Sequence, residues 1–299
     1  MFSIDEEKTR DIERENFQIL KEKENKHKKF PHSDDILLVS DFIFQEYENL
    51  GDSGDLYLAV SKKDENEKYL VKHVYYDCCC NEYMYSKLGN KMGIKIVPVK
   101  LFYVDSSRDL FKSDFVCGIK YLENSSHIKY EILEKNHQVV KNFEDYFRIL
   151  GLDCLLMGGD GIEILKHQDY LYRIDMTSSF LLSDFDLYLL AYDFVYKGID
   201  LQKYARDRLL KKASLQNFQE TSEWETKLDV FKRHYDKKYL KYFQEPFSLI
   251  QKITRNDIKE WTDLLTYFYP EVVGEYYQVL IESSQREARI FLEKNEQGK

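Results

Sequence analysis

Tyr69-Leu70-Val71-Lys72, followed ten positions on (82 − 72) by Asn81-Glu82-Tyr83, is the stretch on which the reading of this chain turns. The first run is apolar and strand-like and ends on a lysine. The second opens a segment, Asn81 to Met92, whose Tyr83, Met84, Leu88 and Met92 recur at helical spacing before Gly93 stops it. Lys72 shares a strand face with Leu70, a partly buried setting in which an ammonium group needs an anionic partner. Alone it reads as a surface lysine on an edge strand. Glu82, at the head of a helix able to pack over the sheet, supplies the partner.

Downstream, two aspartates compete for one role and a third stands apart. Asp153 lies inside the helical run Ile149 to Met157, where a carboxylate more often makes a structural hydrogen bond. Asp160 follows Gly158-Gly159 in a loop, where a carboxylate can meet a substrate hydroxyl; a turn or capping role is the alternative. Asp175 ends the run Tyr172-Arg173-Ile174 and either carries a metal or caps a helix starting at Thr177. Its distance from Asp160 (175 − 160 = 15) suits two short strands, around Glu163-Ile164-Leu165 and Tyr170 to Ile174, joined by a turn. In order, Lys72, Glu82, Asp160 and Asp175 are the groups that ATP phosphoryl transfer uses: a lysine on the phosphates, a glutamate holding it, an aspartate on the nucleophile and one on Mg²⁺.

Working outward, Ile36 to Val74 reads as an antiparallel meander of strand-like runs (Ile36 to Val39, Phe42 to Phe44, Leu56 to Val60, Tyr69 to Lys72). The turn Gly51-Asp52-Ser53-Gly54 lets backbone amides approach phosphates, with Gly51, Ser53 and Gly54 as the candidate contacts, or it is an ordinary hairpin turn. After the helix come two more strands, Ile94 to Val104 and Phe115 to Leu122; Pro98 puts the first at an edge or makes it start late. Beyond Ser125 the chain is mainly helical, with Phe143 to Met157, Asp193 to Lys212, Glu225 to Phe243 and Glu271 to Glu296 as the clearest segments. Residues 4 to 29 are dense in Glu, Lys and Arg and read as a solvated helical arm, ended by Pro31.

Composition narrows the function classes. The 299 residues, 43% hydrophobic and 15% aromatic, are enough for two packed lobes and exclude global disorder. A net charge of −9 disfavours non-specific attraction to nucleic acid or anionic lipid, so no direct nucleic-acid binding is expected. No apolar run approaches spanning length and the N-terminus lacks a basic region feeding an apolar one, so a soluble, cytoplasmic protein without membrane contact is expected. Cys78, Cys79, Cys80, Cys117 and Cys154 are odd in number and lack paired ligand spacing, which reads as reduced thiols rather than a metal site.

Through Tyr69-Leu-Val-Lys72, Asn81-Glu82-Tyr83, Gly93-Ile-Lys-Ile-Val-Pro98, Gly159-Asp160 and Arg173-Ile-Asp175, the chain resembles the protein-kinase-like superfamily. The branches it is most similar to are the HipA-like bacterial serine/threonine kinases and the aminoglycoside phosphotransferases. The resemblance spans Ile36 to Phe180 and implies an α+β, bilobal fold: a small antiparallel β lobe at 33–123, a larger helical lobe at 124–299, and the charged helical arm at 1–32. It also implies ATP in the cleft, with a hinge at Lys120-Tyr121-Leu122-Glu123 that makes Tyr121 and Leu122 cofactor contacts. The roles then fall to Lys72 and Asp160 as catalytic groups, Glu82 orienting the lysine, and Asp175 on Mg²⁺.

The pattern departs from these families after Asp160. They place a metal-binding asparagine a few residues on, whereas here Gly161-Ile162-Glu163-Ile164-Leu165 follows, and Glu163 either substitutes as an oxygen ligand for the metal or faces solvent. The resulting expectation is an ATP- and Mg²⁺-dependent phosphotransferase acting on a serine or threonine of a protein substrate. A small-molecule acceptor is the rival within enzymes, and a pseudokinase that binds nucleotide or protein is the rival outside them.

Overall fold

The computed structural model describes residues 19–20, 22–24, 33–47, 56–72, 76–106, 110–111, 114–156, 162–177, 179–180, 197–198, 200, 203, 231–232 and 235–297. In chain order these hold β1 (Ile36–Leu38), β2 (Phe42–Glu46), β3 (Leu56–Ser61), β4 (Lys68–Lys72), α1 (Tyr76–Lys91), β5 (Val99–Tyr103) and β6 (Phe115–Lys120). They continue with β7 (Ser126–His127), α2 (Tyr130–Lys135), α3 (Phe143–Leu155), β8 (Glu163–His167), β9 (Tyr170–Ile174), α4 (Leu240–Leu249), α5 (Arg255–Leu265) and α6 (Glu271–Gln297). Among the described residues no helix is long and apolar enough to cross a membrane.

The first lobe is a six-stranded sheet in the order β1-β5-β6-β4-β3-β2. Strict alternation along β3 and β4 sends Tyr57, Ala59, Tyr69 and Val71 to one face, where they meet Phe42, Phe102 and Phe111 in an aromatic cluster. The rings of Phe42 and Phe102 lie 5.0 Å apart, edge to face. Away from that cluster, Cys117 and Ile119 belong to the main core with Tyr83, Met84 and Leu88 of α1.

Two expectations need correction here. The Ile36 run is not part of the antiparallel meander: β1 pairs parallel with β5, Ile36 opposite Leu101, because the 3-10 turn at Val39–Asp41 carries the chain across to the other edge. Consequently β5 is an inner strand, and Pro98 is accommodated by the later start at Val99 and not by an edge. The helix also begins earlier than its apolar spacing indicated, at Tyr76 instead of Asn81, since Cys79 and Cys80 are themselves buried on it.

The second lobe packs α3, α4, α5 and α6 beside the three-stranded sheet β7-β8-β9. The segment read as one helix from Glu225 to Phe243 is interrupted: Asp236 is extended and its side chain accepts from Lys238 N at 2.9 Å, starting a 3-10 turn before α4. Most of the Asp193 to Lys212 segment lies outside the described residues. The described part of the N-terminal arm, 19–20 and 22–24, is helical, with Ile19, Glu22 and Lys23 exposed and two residues turned to the body of the protein. Leu20 packs on the main core, and Glu24 accepts from the Glu271 amide at 2.7 Å, placing a carboxylate at the N-terminus of α6.

Helices α3 and α4 meet at Gly151, where a Cβ atom would fall 2.0 Å from the Phe243 carbonyl oxygen. That neighbour is backbone and cannot swing aside. Gly151→Ala is therefore expected to destabilise the protein by about 1–3 kcal/mol, the range of overpacked cores, despite the better helix propensity of alanine. Chemical denaturation measures this, and a neutral result would mean that the two helices slide apart at no cost.

Candidate active site

Because side chains alternate along β4, Lys72 lies on the face opposite Tyr69 and Val71, together with half-buried Leu70. Register places Leu58 of β3 opposite Leu70 and Leu56 opposite Lys72, while Ile119 and Cys117 of β6 flank them on the other side. The result is an apolar, partly open sheet face with the Lys72 ammonium at one end and Lys68, paired with Glu123, at the other.

Lys72 Nζ donates to Glu82 Oε1 at 3.0 Å and to Asp175 Oδ1 at 2.8 Å. The three groups come from β4, from α1 and from the end of β9, so they join the two lobes. The glutamate side chain is fully buried, the lysine 17% exposed and the aspartate 40% exposed. Burial alone would pull the Lys72 pKa down; the two carboxylates reverse this and hold it above its ordinary value. Burial likewise pushes Asp175 up, and Lys72, with the Thr177 hydroxyl at 3.1 Å, overrides it so that the carboxyl titrates below its ordinary range.

The signs give a pH prediction. A depressed carboxyl contributes stability above the ordinary value of 3.8 and loses it as pH falls toward the lowered value. Wild type should thus lose stability more steeply than Asp175→Asn on acidification from about pH 6 to about pH 3. Denaturation midpoints across that interval measure the difference, and parallel curves would show that the ion pair adds nothing to folding.

Asp175 adopts a left-handed backbone conformation, φ 57°, which is uncommon for a non-glycine residue and concentrates at functional turns. Among the described residues both of its hydrogen bonds fall on Oδ1, leaving Oδ2 for another ligand. No helix begins at Thr177, which lies in a turn, so the capping alternative for Asp175 does not apply. Glu82 Oε2 is buried without a hydrogen-bond partner among the described residues, which makes the glutamate dependent on Lys72 for its charge balance.

The remaining candidates divide. Tyr121 and Leu122 directly follow β6, and Tyr121 N donates to Lys68 O at 2.9 Å, beside the ion pair of Lys68 with Glu123. The Tyr121 ring meets Tyr47 edge to face at 6.0 Å. These residues stand beside the start of β4 and Lys72 at its end, about 13 Å apart along the strand. Glu163 pairs with Ile174 across the hairpin and is exposed, on the face away from buried Ile164 and Arg173, so it is not among the groups gathered around Lys72. Gly51, Ser53, Gly54 and Asp160 lie outside the described residues.

Asp153 is structural. It accepts from the Tyr85 hydroxyl and pairs with Arg173 Nη2 at 3.4 Å, all three being buried. Burial and the adjacent carboxylate hold the Tyr85 phenol well above its ordinary pKa. Arg173 Nη1 also donates to the carbonyls of Glu163 and Ile174, and Arg173 N and O bond Lys95 O and Val97 N at 3.1 Å each. Strand β9, and with it Asp175, is thereby tied to α1 and to the segment that precedes β5. Sequence reasoning gave this arginine no role, although its place two residues from Leu171 on a buried face carried the signal.

No protein-family profile and no curated protein sequence matches the chain. By fold it is similar to the crystal structure of the Helicobacter pylori proinflammatory kinase CtkA, with a TM-score of 0.50 and 16% identity over 83% of this chain and 96% of that one. The chain has a bilobal, protein-kinase-like fold, a curled β lobe set against a helical lobe.

Proposed function

We propose that the protein is an ATP- and Mg²⁺-dependent phosphotransferase of the HipA-like kind, transferring phosphate to a serine or threonine of a protein. The observation that carries this reading is the single ammonium of Lys72 held between Glu82 and Asp175 at the end of an open apolar sheet face. Such a face suits an adenine ring, and the roughly 13 Å from Tyr121 to Lys72 is the length scale of a nucleoside triphosphate. Lys72 would hold phosphate oxygens, Glu82 would keep the lysine in place, and Tyr121 and Leu122 would border the base.

The donor set fits magnesium. Mg²⁺ needs only one or two protein carboxylates when phosphates and water complete its shell, so Asp175 suffices although the described residues contain no cluster of three acidic, His or Cys ligands. When bound, the ion would neutralise charge developing on the transferred phosphoryl group. In this reading the β lobe, 33–123, binds nucleotide, the helical lobe, 124–299, carries the acceptor and metal sites, and the arm at 1–32 is an accessory. Cys79, Cys80, Cys117 and Cys154 are buried thiols, which suits a reducing cytoplasm.

The absence of an asparagine after Asp160, together with the exposed placement of Glu163, favours a second reading as a nucleotide-binding pseudokinase. Incubation with labelled Mg·ATP and mass analysis for phosphorylated protein separates the two. Binding is tested in parallel: Mg·ATP should raise the melting temperature, and Asp175→Asn should remove most of that shift while the variant still unfolds cooperatively. An undiminished shift in the variant would take the metal away from Asp175.

A further inference from the structure

Immediately after Asp175 the chain is held at two points by adjacent tyrosines of the C-terminal helix. At the first, Tyr277 donates its hydroxyl to Asn81 Oδ1, and Asn81 Nδ2 donates to the Thr177 carbonyl at 2.6 Å. That carbonyl can only accept, so the amide nitrogen must face it and the amide oxygen is left for the tyrosine. Thr177 in turn donates its hydroxyl to Asp175 Oδ1. At the second, Tyr276 donates to the Phe180 carbonyl at 3.4 Å, and Phe180 N donates to Leu156 O at 2.7 Å. Asn81, Tyr276, Tyr277 and Phe180 are fully buried, and the rings of Phe180 and Tyr277 meet edge to face at 5.1 Å.

Asn81 is the neighbour of Glu82 on α1, so one helical turn touches both carboxylates of the candidate site, Glu82 directly and Asp175 through Thr177. A left-handed backbone at both Asp175 and Phe180 persists only where surrounding contacts over-determine it. Those contacts come from α1 and α6, together with Lys72 of β4 at Asp175 and the end of α3 at Phe180.

We propose that Asn81 and Tyr277 are positioning residues, through which the C-terminal helix fixes the turn after Asp175 and with it the carboxylate that receives magnesium. This rests on the nucleotide reading above for its functional consequence, but the anchoring itself can be measured without nucleotide. A polar network satisfied at every member rigidifies what it holds, and removal of one donor loosens it locally.

The test uses Tyr277→Phe, which removes one hydroxyl and keeps the ring against Phe180, and Asn81→Asp, which keeps the shape but faces the Thr177 carbonyl with an acceptor. Thr177→Ser, which keeps the hydroxyl, and Thr177→Val, which lacks it, probe the last link. In hydrogen exchange without ligand, the peptide carrying Thr177 and Phe180 should exchange about tenfold faster in Tyr277→Phe, with α5 unchanged. In binding, the gain in ATP affinity on adding Mg²⁺ should fall about tenfold in Tyr277→Phe and Thr177→Val, with Mg²⁺-free ATP binding kept within about twofold and Thr177→Ser resembling wild type. Should Asn81→Asp not fold, Tyr277→Phe decides alone. Unchanged exchange at that peptide overturns the anchor, as does an equal loss of affinity with and without Mg²⁺. Failure of wild type itself to bind Mg·ATP would instead overturn the nucleotide reading, leaving exchange to judge the anchor.

Discussion

Lys72→Met is expected to destabilise the protein by about 3–5 kcal/mol, the cost of leaving a buried carboxylate without its counter-charge. The reason lies in Glu82, which is fully buried, has one oxygen on Lys72 and the other on no described partner. An exposed ion pair would behave differently, costing about 1 kcal/mol or less. Removing both charges should therefore hurt less than removing one: the double variant Lys72→Met with Glu82→Leu is expected to regain part of the loss, since apolar groups of similar volume often replace a buried pair at little cost. Urea denaturation of the two single variants and the double variant closes the cycle. The same Lys72→Met protein should also lose phosphoryl transfer by about 10²–10³, the typical effect of deleting one positioned electrostatic group. A stability loss below about 1 kcal/mol would show that the lysine is solvated in solution and that the three-group cluster is not the centre of the fold.

The charges of this cluster could be read from the sequence because each stands at the end of a segment with a clear period. Lys72 closes an alternating strand, Glu82 lies in a helix with apolar spacing, and Asp175 closes the second strand of a hairpin whose register runs from Glu163–Ile174 to His167–Tyr170. Local pattern could not show β1 crossing to pair with β5, since that contact spans 65 positions (101 − 36) and depends on a three-residue 3-10 turn. Nor did the helical period around Phe243 reveal the break at Asp236, where a side chain competes for backbone amides.

The supporting polar network was missed for a related reason. Tyr85, Asp153 and Arg173 are far apart in sequence and each looks ordinary in its own segment. Their common signal was a polar group on a buried face: Arg173 alternates with Leu171, and Asp153 follows Leu152 in an apolar helix. Buried charges require partners, so two such positions of opposite sign predict one another. The amide of Asn81 gave no comparable sign, because a single buried asparagine can be satisfied by many backbone carbonyls.

Asp160→Ala should separate chemistry from binding more sharply than any other change. Asp160 precedes Glu163 by three positions (163 − 160), and Glu163 is paired with Ile174 at the open end of the hairpin that leads into Asp175. If it orients the acceptor hydroxyl, its loss should leave Mg·ATP affinity within about twofold and cut transfer by about 10² or more, the usual contribution of a positioned base. Asp175→Asn has the opposite profile, since Mg²⁺-dependent binding fails first and transfer fails with it. Glu163→Ala should alter neither, because its side chain is on the exposed face away from Arg173. A loss of Mg²⁺ dependence in Glu163→Ala would restore it as the substitute for the missing asparagine. Should wild type bind Mg·ATP yet transfer phosphate to neither itself, protein acceptors nor water, and Asp160→Ala be indistinguishable from it, the step that activates the acceptor would be absent and the ion pair at Lys72 would serve binding alone.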